Sequence, residues 1–310
     1  MVAVTPTEEH EVKNRGSCFG WRRVSPRYRR TLLVAVLLLF LLALVPAVAG
    51  CGLTVGVTQE KGIDEPLGSA AVTDVDISMG LGSLTIGPGA VGFASGTIRY
   101  NVKEWVPTVT RGDSTFTIKQ SSRKAVPGLS TDIVNEWNLQ FGKAPMRLKV
   151  SAGAYTGSYD MSGLTLQEFS IHDGAAKSQV MFNSPNPGQM AGLVYETGAS
   201  SVELIGLANA NFKSMTFTGG AGSYSLDFSG QLRTSAPVKI ETGAGSVHLT
   251  VPSTTAAKVQ VSGSLSHVST QGQWTQVGRT YSTPAAANAQ AKVLSISLKM
   301  SVGTVTLVAE

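Results

Sequence analysis

The side chains able to do chemistry are few and scattered. The four histidines, His10, His172, His248 and His267, form no i, i+4 pair and have no cysteine partner, so metal-ligand spacings are missing. The carboxylates at strand-like positions, Asp160, Asp173, Glu196, Glu203, Asp227 and Glu241, stand singly. Paired acid/base chemistry needs two carboxyl groups about 5–10 Å apart, and no short stretch supplies such a pair. Stacking of successive coils would nevertheless gather these six along one ridge, as in β-solenoid polysaccharide lyases, so a carbohydrate-active enzyme is the alternative to a solvated surface. Gly87-Pro-Gly-Ala-Val-Gly92 satisfies the dinucleotide pattern only formally, because Pro88 interrupts it and the strand-like Gly96–Val102 follows where a helix is required. It reads as a turn. No Gly-x-Ser-x-Gly elbow occurs, and Arg111-Gly112-Asp113 reads as a hairpin tip. These residues indicate no catalytic set, no metal and no cofactor.

One thiol is an exception. Basic Arg22–Arg30 precedes the uncharged run Leu32–Ala49, which closes on Val48-Ala49-Gly50-Cys51. Basic residues before an apolar run keep that side in the cytoplasm and send the following chain outward. The close is similar to a bacterial lipobox, in which the cysteine thiol takes a diacylglyceryl group and lipid replaces the cleaved segment as anchor. An uncleaved helix is the alternative, since 18 apolar residues lie near the lower limit for spanning. Either reading expects a membrane partner and an extracytoplasmic domain. Cys18 lies in the leader, so the mature chain has no cysteine left for a disulfide.

The formal charge of +5 points the same way. Residues 1–50 hold seven of the 25 Lys/Arg and three of the 20 acids, which leaves 18 and 17 beyond them. The near-balanced remainder offers no basic patch, and a nucleic-acid partner is not expected.

The elements that must position these groups come from a repeated phrase. Val238-Lys-Ile-Glu-Thr-Gly-Ala-Gly-Ser-Val-His-Leu249 is a strand, a corner of small residues and a second strand, with period-2 alternation on both sides. Val75–Ile86 matches it position for position, and partial copies begin at Leu148, Phe169, Val194 and Met215. The pivotal corner glycines are Gly80, Gly153, Gly174, Gly198, Gly220 and Gly243. From Gly153 onward their spacing is 21–24 residues, and Ser301 stands at the corner of the last copy. About 22 residues cannot close a core alone, so each unit must stack on its neighbours. The expectation is an all-β, single-stranded parallel β-solenoid of ~22-residue rungs, right-handed by analogy with parallel crossovers. The corner glycines would form a ladder at one edge. An antiparallel sandwich is the competing architecture.

The expected organisation is a leader and anchor at 1–51, a flexible tether at 52–73, a less regular N-terminal part at 74–150 and a repeat solenoid at 151–310. The 73-residue interval from Gly80 to Gly153 leaves room for about three irregular rungs, and the last copy would form the open terminal rung.

The leader, the Val75–Ile86 phrase and Thr242–Pro252 resemble the bacterial toast-rack family, which includes the C-terminal domains of LiaF-like cell-envelope stress proteins and adhesin-like domains. The resemblance covers roughly residues 74–310. It implies a β-rich extracytoplasmic module, and LiaF-like members, which carry several membrane helices, restrain a sensor kinase. Taken together, the expected function is a lipid-anchored, non-enzymatic binding, scaffold or envelope-stress module on the outer face of the cell membrane. An envelope protein or a cell-wall glycan would be its partner. The alternatives are a carbohydrate-active β-helix enzyme and a regulator of a membrane sensor kinase.

Overall fold

The computed structural model describes residues 55–121 and 132–310. The leader, Cys18 and Cys51 lie outside them, as does His10. Within the described residues one mostly parallel sheet of 16 strands runs through the domain, with three short 3₁₀ turns and no helix long and apolar enough to cross a membrane.

Seven long strands form the stack: β2 (Thr73–Pro88), β7 (Met146–Asp160), β8 (Leu166–Met181), β9 (Gly192–Ile205), β10 (Met215–Asp227), β11 (Ala236–Val251) and β16 (Val293–Ala309). Each carries a corner near its middle and pairs in parallel with the next in that order. Register then places like residues above like. Ile77, Val150, Ile171, Tyr195, Phe217, Ile240 and Leu298 make one such column, and all are buried. Alternate residues of a strand face opposite sides, so the same register leaves Lys149, Ser170, Val194, Thr216 and Lys239 on the outer face. Each column side chain contributes roughly 1.5–3 kcal/mol by leaving water, but only because another rung covers it.

The two ends depart from the regular stack. Instead of being three rungs apart, β2 and β7 are direct neighbours. The chain between them leaves the stack and returns on the other side of β2 as a split rung. There β5 (Thr115–Gln120) pairs with the first half of β2, and β6 (Asn135–Phe141) with the second. Strand β4 (Pro107–Arg111) is the antiparallel partner of β5, while β3 (Ala94–Val102) runs antiparallel to β6. Strand β1 (Val55–Glu65) then pairs antiparallel with β3. Residues 55–65 are therefore an edge strand and not the tether expected over 52–73. Their strand character is hidden in sequence because most of β1 is exposed, so no apolar alternation marks it. The expected boundary at 150/151 also falls inside β7, which is continuous across it.

At the other end, stacking order departs from chain order. Strand β16 is the last in sequence, yet it lies between β11 and a second split rung made of β12 (Ala256–Ser262) and β13 (Leu265–Gln271). A hairpin of β14 (Thr275–Val277) and β15 (Thr280–Ser282) pairs antiparallel with β12. The last copy of the repeat is thus enclosed by other strands. Pattern alone reports which residues form a rung and carries no information about the order in which rungs stack.

Candidate functional site: a groove at the corner

The corner works because it has almost no side chains. A Cβ placed on Gly153 or Gly198 would fall on the carbonyl oxygen of Gly80 or Gly174. On Gly220, Gly243 and Gly174 it would come to 2.5, 2.6 and 2.9 Å from the oxygens of Gly198, Gly220 and Gly153. The six glycines therefore lie in one column, each of the five after Gly80 against the backbone of the rung before. A second column two residues on holds Gly222, Gly245 and Gly303; the last two have φ of 128° and 142°, a conformation that favours glycine. Ser301 falls opposite Gly243, between the register pairs Thr242–Met300 and Ala244–Val302.

Among the described residues, no strand pairs with the corner of β2 between Ser78 and Ser83 on the side of the split rung. Side chains take over that role. Gln120 Oε1 accepts the Gly80 N–H at 2.9 Å, and Asn135 Nδ2 donates to Leu81 O at 2.5 Å and to Gln120 Oε1 at 3.0 Å. Trp137 Nε1 donates to Asn135 Oδ1 at 2.8 Å and fixes its orientation. Buried backbone groups must find partners, and here two side-chain amides supply them.

A groove of about 840 Å³ opens at this corner and crosses the rungs from Gly80 and Leu81 to Thr218. Small residues of β7, Ser151 to Ala154, line its middle; Trp105 and Gln120 stand at the β2 end, and His172, Asp173, Glu196 and Thr197 at the other. The volume falls within the range of small-molecule sites, about 300–1,000 Å³.

Asp173 is the centre of a hydroxyl cage. Its carboxylate accepts hydrogen bonds from Tyr195 at 2.8 Å, from Tyr155 at 3.3 Å and from Thr197 Oγ1. Tyr159 donates to Tyr155 at 2.8 Å, and the Thr197 and Ser200 hydroxyls are in contact at 2.5 Å. Between β8 and β9 the ladder opens at residues 174–176, and Ser200 Oγ accepts the Ala176 N–H at 2.8 Å instead. Burial, followed by the charge of Asp173, pushes the Tyr155 phenol well above its ordinary pKa. Burial and the neighbouring Tyr155 raise Tyr159 and Tyr195 in the same direction. These phenols are therefore protonated donors at neutral pH, which is what a caged carboxylate requires.

Of the six carboxylates that stacking could have gathered, Asp173 and Glu196 reach the groove. They come from adjacent rungs, with His172 opposite Glu196 and Asp173 opposite Thr197 in the register. Glu196 Oε2 lies 2.9 Å from His172 Nδ1. The other four go elsewhere. Glu203 accepts from Gln179 at 2.7 Å and Glu241 pairs with Lys239 at 2.9 Å. Asp160 and Asp227 cap turns at strand ends by accepting the N–H of Ser162 and Ser229 at 3.0 and 2.8 Å. His248 on β11 and His267 on β13 are exposed, and the described residues contain no group of His, Cys, Asp and Glu arranged to hold a metal. Residues 112–114 form the tip of the β4–β5 hairpin. The Arg111 guanidinium is withdrawn from that tip and stacks 4.4 Å above the Phe93 ring.

Trp105, Gln120 and Asn135 lie outside every copy of the repeat, and periodicity gave no sign of them. Tyr155, Tyr195 and Ser200 occupy inward positions of the repeat, where pattern alone cannot separate a cage from ordinary core.

Residues 54–191 match the model of the N-terminal domain of toast_rack, DUF2154. This stretch belongs to the toast-rack family. The toast-rack match takes in β2, β7 and β8 and stops just before β9, yet the parallel register runs on through β9, β10, β11 and β16 without a break in handover. Most of the groove, from Gly80 to Asp173, lies in the toast-rack segment, and Glu196, Thr197 and Thr218 complete it from beyond. No curated protein matches the chain. Among solved structures, a putative cell adhesion protein from Clostridium sporogenes is similar at 18% identity and a TM-score of 0.45, over 82% of this chain and 100% of that one. A putative adhesin from Bacteroides fragilis is similar at 12% identity and a TM-score of 0.35, over 83% and 100%. A putative lipid binding protein from Parabacteroides distasonis is similar at 10% identity and 0.29, over 81% and 97%.

Proposed function

We propose that the chain is a membrane-anchored, extracytoplasmic β-solenoid whose corner groove binds a cell-envelope partner, a cell-wall glycan or an envelope protein, without turning it over. The observation that carries this reading is the state of the groove's two carboxylates. Asp173 is engaged by Tyr195, Tyr155 and Thr197, and Glu196 by His172. A retaining or inverting pair needs one free base or nucleophile and one acid facing the same bond. A cavity with a small-residue floor and pre-engaged acceptors is suited instead to holding a partner in place. Anchoring is supported by the order basic segment, apolar run, Val48-Ala-Gly-Cys51, with the acylated Cys51 holding the protein on the outer face of the cell membrane.

The test uses the full-length protein and soluble cell-wall fragments as probe. Thr218→Trp, at an exposed position lining the groove, is expected to abolish binding without lowering the unfolding midpoint. Release of new reducing ends by the wild-type protein would overturn the non-enzymatic reading. Cys51→Ser is expected to abolish the lipid-modified mass and membrane retention, and a variant unchanged in both would remove the lipid anchor from the proposal.

A further inference from the structure

We propose that the N-terminal cap rests on the bilayer, with edge strand β1 and the segments at its two ends as the contacting face. This inference rests on the anchoring reading above and adds which surface of the domain meets the membrane.

The first observation is where the apolar side chains are left uncovered. Five of the seven large exposed hydrophobic residues described belong to the cap: Val55, Val57, Leu67, Val91 and Val106. Val57, Leu67 and Val91 are 87, 60 and 98% exposed. Exposed apolar side chains gathered in one region mark an interaction surface, whereas residues scattered singly need no explanation; these stand in two groups, one at each end of β1. Their placement follows from the register. Among the described residues strand β1 pairs only with β3, with Val55 opposite Val102 and Glu65 opposite Ala94. Val106 follows the 3₁₀ turn Lys103–Trp105 at the Val55 end. Leu67 and Val91 flank the Glu65 end, where the Phe93 N–H is bonded to Glu65 O at 2.7 Å. Apolar side chains thus bracket both ends of one free sheet edge.

The second observation is the length of chain available. The apolar run ends at Ala49 and Cys51 precedes β1 by four residues. Extended chain spans at most about 3.5 Å per residue, so four residues allow an acylated Cys51 no more than about 14 Å from Val55, and an anchor ending at Ala49 no more than about 7 Å beyond that. The stack from β1 to β14 contains 13 strands in sequence of pairing. At about 4.8 Å per step it rises close to 60 Å. A link that short holds β1 at the membrane and sends the other rungs outward, with the corner groove beginning three strands away at β2.

Charge decides the kind of contact. Strand β1 carries Glu60, Asp64 and Glu65 against Lys61, whose Nζ donates to Pro107 O at 3.2 Å. A face with net negative charge gains nothing from anionic lipid, so contact is apolar insertion at the headgroup boundary.

The experiment uses the full-length chain with Cys18→Ser, carrying an environment-sensitive fluorophore at Val57→Cys, Val91→Cys or Val277→Cys. Val277, 75% exposed in the far hairpin, is the control. The proteins are reconstituted in phosphatidylcholine vesicles, with and without phosphatidylglycerol, and lipid-borne quenchers are added. Labels at 57 and 91 are expected to shift to the blue and lose emission to the quenchers, and the label at 277 to do neither; added phosphatidylglycerol leaves the contrast unchanged. Protein that floats with the vesicles while all three labels behave alike overturns the membrane-facing cap and leaves the anchor standing. Protein that fails to float overturns both.

Discussion

Alanine at Gly220 is the sharpest test of the stacked corner. The added Cβ would lie 2.5 Å from Gly198 O, 3.2 Å from its carbonyl carbon and 3.5 Å from its Cα. Comfortable contact between heavy atoms begins near 3.5 Å, so adjacent rungs must part by most of an ångström where strands sit about 4.8 Å apart. The obstructing atom is backbone tied into the sheet, and no rotamer change relieves it. Overpacking of this kind costs about 1–3 kcal/mol. Alanine also stiffens the unfolded chain, which returns about 0.4–1 kcal/mol. The net expectation is a loss of about 1–2 kcal/mol, read as a lower urea midpoint by circular dichroism. Gly188 and Gly192 are the controls, since nothing lies within 4 Å of a Cβ at either and neither has positive φ. Their alanine variants should match or slightly exceed wild type. The column also predicts an order, with Gly174→Ala mildest because its contact is 2.9 Å, then Gly243→Ala at 2.6 Å, then Gly220→Ala, and Gly198→Ala and Gly153→Ala worst. A Gly220→Ala midpoint equal to that of Gly188→Ala would refute the close approach of the rungs.

Two further outcomes follow from the hydroxyl cage. Asp173→Ala removes the acceptor shared by Tyr195, Tyr155 and Thr197; each stranded buried hydroxyl costs about 1–3 kcal/mol, so a loss of at least about 2 kcal/mol is expected by urea unfolding. Asp173→Asn, which keeps an acceptor, should recover a large part of it, and wild-type stability in the alanine variant would count against the cage. The raised phenol pKa values of Tyr155, Tyr159 and Tyr195 set an alkaline limit. In the unfolded chain these phenols ionise near pH 10, so the unfolded state gives up protons first and stability falls as pH rises above that value toward the folded pKa. Phenolate absorbance from the three should appear together with loss of β-sheet dichroism, and ionisation near pH 10 with the fold intact would contradict their burial.

Much of the stack was legible in the residues. Alternation around a small-residue corner specified rungs because half-buried strands impose a period of two, and a unit of about 22 residues must stack to cover its apolar side chains. The site was less legible. Asp173 and Glu196 meet in one groove only because their rungs are neighbours, whereas Asp160 and Asp227, equally regular in spacing, are used up as turn caps. The amides of Gln120 and Asn135 serve a corner 40 and 54 residues away in sequence. Contacts at that separation leave no local pattern.

The sequence by itself determined the all-β class and the rung with its glycine corner, since each depends on interactions within a few residues or on a strict repeat. Tertiary structure alone decided that β2 lies directly against β7, that β16 is enclosed by β11 and the β12/β13 rung, and that residues 55–65 form the outermost strand. The reason is physical: a parallel rung offers the same edge chemistry to any strand of matching length and corner. Which strand fills the place is settled by chain connection and by the side chains that cover each end.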